Sequence, residues 1–327
     1  MADVSCMWHG RTIGIDLGDK MSHLCVLDET GEVVEESRLT TTPKALTSRF
    51  QGLERSRIVI ETGTHTNWVA ETLAALGHEV VVANARKVRA ISENDRKDDR
   101  VDAQLLARIG RVDARLLHPI TPRDRQGRQH LAVLRSRAAL VEGRTQLINH
   151  VRGICKSAGY RLSRCSSASF HQRLLPSELQ DVLQPVLGVI GELTGRIAAF
   201  DERIEALGEL EYPQTQLLQQ VHGVGPVTSL CFVLTIGDVK RFKSPRMVGS
   251  YFGLTPRRHA SGDANPELRI TKAGDSMLRM LLVQSAHHIL GPFGKDSDLR
   301  CFGQRLARRG GTNAKKKAVV ATARKLA

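Results

Sequence analysis

The feature that most constrains the fold is the order of apolar segments between residues 11 and 118. Three β-branched runs come first, and helix, strand, helix, strand and helix follow. The five strand-like runs are RTIGIDLG, SHLCVLD, EVVEESRL, SRIVIETG and HEVVVANA. Because the central runs are apolar on both faces, the sheet they form is expected to be covered on each side. This order predicts an α/β layered domain over residues 1–118.

The helical segments follow from turn residues and from the spacing of apolar side chains. Pro43 opens one helix, Gly77 closes a second, and residues 86–117 are helical in pattern. Residues 123–155 and 177–208 carry leucine, isoleucine and valine at helical spacing. Two such helices predict an antiparallel hairpin or coiled-coil arm over residues 119–212, with a simple helical linker domain as the alternative.

A third domain, residues 213–327, is predicted to be mainly α-helical. Its first segment contains Gly223 and Gly225 between two helical patterns, which is typical of a helix-hairpin-helix. In that motif the backbone N–H groups at the start of the second helix can hold a phosphate.

The positive charge of the chain is concentrated at one end. Residues 240–327 hold 19 Lys and Arg against 5 Asp and Glu, and the chain as a whole carries +14. A surface of this kind attracts a polyanion, most simply nucleic acid. The alternative is a high-pI domain without such a partner. Aromatic residues make up only 4% of the chain, so stacking on exposed bases is not expected to be the main binding device.

The remaining composition points to a cytosolic protein. The six cysteines are dispersed without a CxxC pair, which favours reduced thiols over a disulfide framework or a zinc site. No apolar run approaches 18 residues, so no membrane span is expected. The N-terminus lacks the apolar core of a signal peptide.

Four acidic residues are candidates for a metal site. Asp16 and Glu61 end the first and fourth strand runs, and Asp99 and Asp102 are three apart on one helical face. If that helix packs beside the strand ends, the four carboxylates converge and need a cation to stay ionised. An all-oxygen site suits Mg²⁺ or Mn²⁺, and two such ions can assist phosphodiester chemistry.

Each acid also has a structural alternative. Asp16 could cap a turn, Glu61 could be a solvated strand end, and Asp98 and Asp99 could stabilise a helix N-terminus. The stretch GIDLG also occurs in the first strand of actin-like ATPases and sugar kinases. That class requires a duplicated second half with another Gly-rich phosphate turn, and the sequence has no such duplicate.

A second candidate site lies in residues 253–282. The turn TPRR presents Arg257 and Arg258, Ser261 precedes Gly262, and RITKAG is predicted to start a helix. A serine hydroxyl among Arg257, Arg258, Arg269 and Lys272 could attack a phosphate whose charge those residues neutralise. The alternative is that Ser261 is a turn residue and that the basic side chains only bind a nucleic-acid backbone.

Taken together, these segments resemble the insertion-sequence 110 family of transposases. The ordered set is GIDLGDK, IETGTH, KDDRVDAQLLA, VHGVGPVTS, GLTPRR, SG and RITKAGDSMLR. The resemblance implies an RNase H-like (RuvC-like) N-terminal domain, a coiled-coil arm and a C-terminal transposase domain. It implies DNA and a structured noncoding (bridge) RNA as partners, and a homodimer or tetramer in the bacterial cytoplasm.

The resemblance also implies roles for individual residues. The family's Asp-Glu-Asp-Asp metal set corresponds to Asp16, Glu61, Asp99 and Asp102, which leaves Asp98 as a cap or a solvated acid. The family's nucleophilic serine corresponds to Ser261, which would form a transient link to DNA. Lys97 and Arg100 are expected to face the nucleic acid.

Two departures from the family pattern carry expectations of their own. The loop after Ser261 contains Pro266 and Glu267 where relatives usually carry a basic residue. Relatives also continue past Ala327, so whether the chain is a truncated and inactive copy stays open.

Three functions stay open: a DNA recombinase using Ser261, a RuvC-like nuclease using metal-activated water, and a non-catalytic nucleic-acid-binding remnant. The first is favoured.

Overall fold

The computed structural model describes residues 8–85, 87, 98–257 and 268–327. The chain divides into two compact units, one up to Asp124 and one from Arg125 onward. The finer division of the second unit at residue 212 stays a prediction.

The first unit is built on a five-stranded mixed sheet. Its strands are β1 (Thr12–Asp16), β2 (Met21–Leu27), β3 (Val33–Thr40), β4 (Arg57–Glu61) and β5 (Glu79–Ala83). They lie in the order β3-β2-β1-β4-β5, with β1, β2 and β3 antiparallel and with β4 and β5 parallel to β1. All five predicted strands are confirmed. The order is consistent with the RNase H-like fold that the resemblance implies.

Helices cover both faces of this sheet, as predicted. Helices α1 (Pro43–Phe50) and α2 (Thr66–Ala75) pack on the face formed by Ile13 and Ile15. Helix α3 (Asp99–Asp113) packs on the opposite face and is followed by a 3-10 turn, Ala114–Leu117. Side chains alternate between the faces of a strand, so Gly14 faces α3.

The predicted helix over residues 86–117 is confirmed only in part. Helix α3 and the 3-10 turn fall in its second half, and its first half lies largely outside the described residues. Asp98 is the N-cap of α3, and its Oδ1 accepts the backbone N–H of Arg100 at 3.1 Å. This satisfies one of the free N–H groups at the helix start. The cap role predicted for Asp98 is confirmed.

Gly14 lets α3 approach β1 closely. A Cβ atom at this position would lie 2.0 Å from the carbonyl oxygen of Ala103 and 2.6 Å from the backbone nitrogen of Ala107. Both contacts are with backbone atoms, which cannot rotate away. Small residues on both elements therefore set the distance between the strand that ends at Asp16 and the helix that begins at Asp99.

The second unit begins with two long antiparallel helices, α4 (Arg125–Ser157) and α5 (Ser177–Leu210). Near their distal end, side chains of both helices and of the connecting segment form one cluster, which includes Val151, Phe170 and Leu187. The predicted helical hairpin is confirmed, and its assignment as a coiled-coil arm stays a prediction.

Six further α-helices lie in the described part of the second unit. They are α6 (Gln214–Gln219), α7 (Pro226–Ile236), α8 (Arg246–Tyr251), α9 (Ser276–Leu290), α10 (Asp298–Ala307) and α11 (Ala314–Leu326). A core of buried side chains joins α7, α9 and α11 to the proximal end of the hairpin, through Leu134 of α4 and Ile204 of α5. The predicted mainly helical C-terminal region is confirmed.

In the described part of the chain, α5 is the one helix that could span a membrane by length and composition alone. Its most apolar 18 residues carry at most two charges, whereas the sequence analysis found no apolar run of that length. Core helices of water-soluble proteins can have the same composition. Because α5 packs along α4, part of its apolar surface has a partner within the chain.

Substituting Gly14 tests the close approach of α3. Gly14→Ala is expected to lower the free energy of unfolding of the first unit by about 1–3 kcal/mol, since its methyl group would overlap the helix backbone. The measurement is urea unfolding followed by circular dichroism. Gly153→Ala is the matched control. A Cβ there meets open space, so the control should gain about 0.5–1 kcal/mol. Equal effects of the two changes would contradict the prediction.

Candidate functional site

The candidate site lies at one end of β1. Asp16 is the last residue of β1, and Asp99 and Asp102 lie in the first turn of α3. Because α3 packs on β1 through Gly14, the start of the helix lies near the end of the strand. Three of the four acids singled out in the sequence are therefore neighbours.

The electrostatics of Asp16 reflect this grouping. Burial raises the pKa of the Asp16 carboxyl from its ordinary value of 3.8 to about 6. The carboxylates of Asp99 and Asp102 contribute to this rise of the pKa, and His23 opposes it. Ionising all three acids together is thus unfavourable unless a positive charge compensates.

His23 is a site residue that sequence reasoning missed. It lies on β2 directly opposite Asp16, and its Nε2 is 3.8 Å from Oδ2 of Asp99. The His23 residue is buried and lies beside the acids. The register of the β1–β2 hairpin sets His23 beside Asp16, and local sequence patterns do not specify that register.

Glu61 ends β4, the strand next to β1. The Thr66 hydroxyl donates to the Glu61 carbonyl at 2.8 Å and accepts the N–H of Gly63 at 2.6 Å, which fixes the turn after the strand. Glu61 is not among the charges that shift the pKa of Asp16. It stands at the end of the neighbouring strand, and the pairing of Ile15 with Ile60 sets Glu61 level with Asp16 across the two strand ends.

Oxygen ligands of this type fit a hard divalent cation. The raised pKa of Asp16 is what a carboxylate cluster without its cation should display, so the chemistry of the set fits the metal. Among the described residues, however, no three His, Cys, Asp or Glu side chains lie close enough together to hold one ion. Because Mg²⁺ is commonly bound by one or two carboxylates together with several waters, two of these acids would suffice to hold it.

A second histidine lies on the turn after β4. The indole Nε1 of Trp68 donates to Nδ1 of His65 at 3.1 Å, so Nε2 of His65 carries the proton. That Nε2 is 3.5 Å from Oδ1 of Asp19, which is exposed. His65 lies within the stretch IETGTH but was not predicted to be a site residue. Its tautomer depends on the contact with Trp68, which residue spacing does not reveal.

Arg100 lies beside the acid group. Together with His23, Glu36 and Arg38 it lines a cleft of about 360 Å³ in the first unit. Two guanidinium groups beside a carboxylate cluster suit a nucleic-acid backbone passing the site. Lys97, predicted to act with Arg100, lies outside the described residues.

The second candidate site is described only at its base. Pro256 and Ile270 form an antiparallel bridge, and the Arg257 N–H donates to the Arg269 carbonyl at 2.9 Å. The predicted helix starts later than expected, at Ser276. The stretch RITKAG, residues 269–274, instead pairs with residues 253–257 and then turns at Gly274, which has φ +71°.

Three exposed basic residues surround this base: Arg257, Arg269 and Lys272. Arg258, Ser261, Pro266 and Glu267 lie outside the described residues. For this site the structure therefore describes the pairing of the segment that ends at Arg257 with the segment that contains Arg269 and Ile270.

The predicted helix-hairpin-helix corresponds to α6 and α7. Gly223 has φ +94°, and a Cβ there would lie 3.0 Å from a side-chain carbon of Ile289 and 3.3 Å from the His288 ring. Gly225 is extended, exposed and the N-cap of α7, and Pro226, the first residue of the helix, has no N–H. The two glycines thus have different roles: Gly223 allows close packing on α9, and Gly225 leaves the helix start open.

Comparison with known proteins agrees with this arrangement. A model of the DEDD transposase domain of IS110 elements matches residues 13–158, and a model described as "Transposase IS116/IS110/IS902 family" matches residues 215–298. The protein is thus a transposase, a DNA strand-transfer enzyme. The chain belongs to the IS110 family, and the DEDD domain implies use of a divalent metal.

Individual relatives span most of the chain. The transposase for insertion sequence element IS1111A of Coxiella burnetii is 29% identical over 291 residues, covering 86% of this chain and 78% of the relative. The transposase for insertion sequence element IS1328 of Yersinia enterocolitica is 27% identical, covering 84% and 82%. The pilin gene-inverting protein of Moraxella bovis is 27% identical, covering 82% and 76%.

The raised pKa of Asp16 predicts a pH-dependent stability. Between about pH 4 and pH 6 the folded protein holds a proton that the unfolded chain has lost, so stability falls as pH rises through this window. In EDTA, Asp16→Asn is therefore expected to raise the melting temperature at pH 7.5 and to leave it unchanged near pH 4. Magnesium should raise the melting temperature of the wild type at pH 7.5 more than that of Asp16→Asn.

The control for this measurement is Asp181→Asn, an exposed acid on α5. It should change the melting temperature little at either pH. A gain from Asp16→Asn that is equal at pH 4 and pH 7.5 would contradict the electrostatic explanation.

Proposed function

We propose that this transposase cuts and rejoins DNA with Ser261 as the nucleophile and with a divalent metal held by Asp16, Glu61, Asp99 and Asp102. The observation that carries the metal part is the grouping of Asp16 with the two acids of α3, reflected in the raised pKa of Asp16. Family membership supports the strand-transfer chemistry.

The proposed metal is Mg²⁺ or Mn²⁺, which the oxygen ligands favour. When bound, it supplies charge that stabilises the phosphate undergoing substitution and its leaving oxygen. His23 keeps Asp99 oriented from the β2 side, and Arg38 and Arg100 attract the DNA backbone toward the acids. Lys97 is proposed to join them.

Ser261 is proposed to react as a covalent nucleophile. Its Oγ bonds to phosphorus while a phosphorus–oxygen bond of the DNA breaks, and the serine proton passes to solvent or to the departing DNA oxygen. A DNA hydroxyl from the partner strand then attacks the same phosphorus and releases the serine. Arg257, Arg258, Arg269 and Lys272 are proposed to neutralise the phosphate during both steps.

The helix-hairpin-helix is proposed to hold the DNA backbone. The backbone N–H groups that follow Pro226 at the start of α7 are proposed to contact a phosphate beside the exposed Gly225, and Gly223 keeps the turn in place on α9. A contact with a backbone phosphate is independent of base sequence. Sequence choice is therefore proposed to come from a structured noncoding (bridge) RNA that pairs with DNA.

Strand exchange between two duplexes needs more than one protomer, so a homodimer or tetramer is part of the proposal. The reaction would take place on DNA in the bacterial cytoplasm. The coiled-coil assignment of the α4–α5 hairpin belongs to the same proposal.

The covalent step predicts a protein–DNA adduct. Wild-type protein incubated with donor DNA, its RNA and Mg²⁺ should give a species that survives denaturing electrophoresis. Ser261→Ala should abolish the adduct and recombination while RNA binding persists. Ser244→Ala, which changes an exposed serine before α8, is the matched control and should retain both.

Replacing a proposed metal ligand should stop DNA cleavage and rejoining without preventing DNA binding. Asp102→Asn should abolish adduct formation and recombination, and DNA binding in the absence of metal should be kept, because the change removes an anion from the site. Cleavage that needs metal but yields no adduct would favour the RuvC-like nuclease with metal-activated water. Full recombination by Ser261→Ala would overturn the serine mechanism.

A further inference from the structure

Phe293 is the most exposed aromatic side chain in the described part of the chain. It lies between α9 and α10 and is 78% exposed. The next is Tyr160, beyond the end of α4, at 41%. A phenyl ring exposed to this extent contributes little to the core, so the fold gives no reason for an aromatic residue there.

The backbone around Phe293 is held in place. The ring Nε2 of His222 donates to the Phe293 carbonyl at 3.0 Å, and the Arg300 guanidinium donates to the Gly291 carbonyl at 2.7 Å. Gly294 packs so closely that a Cβ there would lie 2.0 Å from the Ile289 carbonyl oxygen. The ring is therefore presented outward by a braced loop, which lowers the entropy cost of binding something against it.

The bracing connects Phe293 to the proposed phosphate-binding turn. His222 directly precedes Gly223, and its ring also packs on the His288 ring with centroids 5.1 Å apart. One hydrogen bond thus joins the Phe293 backbone to His222, the residue directly before the turn that ends at Gly225. A strand bound there by a phosphate brings its bases to the same neighbourhood.

The surrounding charge selects the kind of partner. Residues 240–327 carry a net charge of +14. Lys295 is exposed two residues after Phe293, and the nearby acid Asp296 lies 3.8 Å from the Arg300 guanidinium. Residues 291–300 themselves are balanced, with Lys295 and Arg300 against Asp296 and Asp298, so the positive excess lies in the rest of residues 240–327. A flat apolar ring carried by such a region suits a partner that has aromatic faces and negative charge, which describes nucleic acid better than an apolar protein surface.

We propose that Phe293 stacks on an unpaired DNA base while the turn through Gly223 and Gly225 holds a neighbouring phosphate. The inference rests on the proposed DNA binding and adds a base contact to it. Strand exchange creates unpaired bases, and a stacking ring would keep one from re-pairing with its old partner. The contact is tolerant of sequence, because every base has a π-face.

Binding to DNA with and without bases tests this assignment. The probes are a fluorescent single-stranded oligonucleotide and an abasic strand of the same length, titrated with full-length protein and followed by anisotropy. Phe293→Leu should weaken binding of the base-containing strand by roughly five- to a hundred-fold, the range expected for loss of one stacking contact. Binding of the abasic strand should change less than two-fold.

Two controls separate stacking from other effects. Tyr160→Leu removes the other exposed aromatic side chain and should leave both affinities unchanged. The salt dependence of binding should be the same for Phe293→Leu and wild type, since the phosphate contacts remain. Phe293→Trp should retain affinity, and its added fluorescence should be quenched by the base-containing strand and not by the abasic strand.

The outcomes distinguish this inference from the function on which it rests. If the wild type binds DNA and Phe293→Leu binds the base-containing strand equally well, the stacking role is overturned and the DNA-binding proposal stands. An equal loss on both strands would also overturn stacking, because it would indicate a general effect of the loop. If the wild type binds neither strand, the helix-hairpin-helix proposal fails as well.

Discussion

The contact between β1 and α3 at Gly14 determines the geometry of the candidate metal site. Without a side chain at Gly14, the backbone of α3 approaches the sheet near Ala103 and Ala107. The N-terminal end of the helix consequently lies near the C-terminal end of the strand. Packing thus brings together carboxylates that would repel one another in the absence of a cation, and the free energy of burying the rest of α3 offsets that repulsion.

The same contact explains why the acids differ. Asp98 is outside the packed face and serves the helix as its N-cap, whereas Asp102 comes one turn into the helix. Asp16 has a raised pKa chiefly because of burial, to which the carboxylates of Asp99 and Asp102 add. The His23 ring, set opposite it by strand pairing, lowers that pKa. Neighbouring positions in sequence therefore have different chemistry, decided by which face of α3 they occupy.

Much of this could be predicted from sequence, because strand and helix periodicity and the spacing of Asp99 and Asp102 are local properties. All five strands and both long helices were found this way. The roles of His23 and Phe293 were not predictable, since they depend on strand register and on a loop braced by a distant histidine. The late start of α9 was missed because Ile270 pairs across ten undescribed residues with Pro256. Such long-range pairing overrides local helical preference.

The α4–α5 hairpin has an uneven interior. Its base belongs to the large C-terminal core and its tip has a separate apolar cluster. Between them, polar pairs face each other: Arg137 holds Asp201 at 2.7 Å, and Arg144 donates to Thr194 at 3.2 Å. Such pairs fix the register of two helices but resist bending less than interlocked apolar side chains do. Because the two clusters are separate, substitutions in the tip cluster and in the large C-terminal core should have nearly additive effects on the free energy of unfolding.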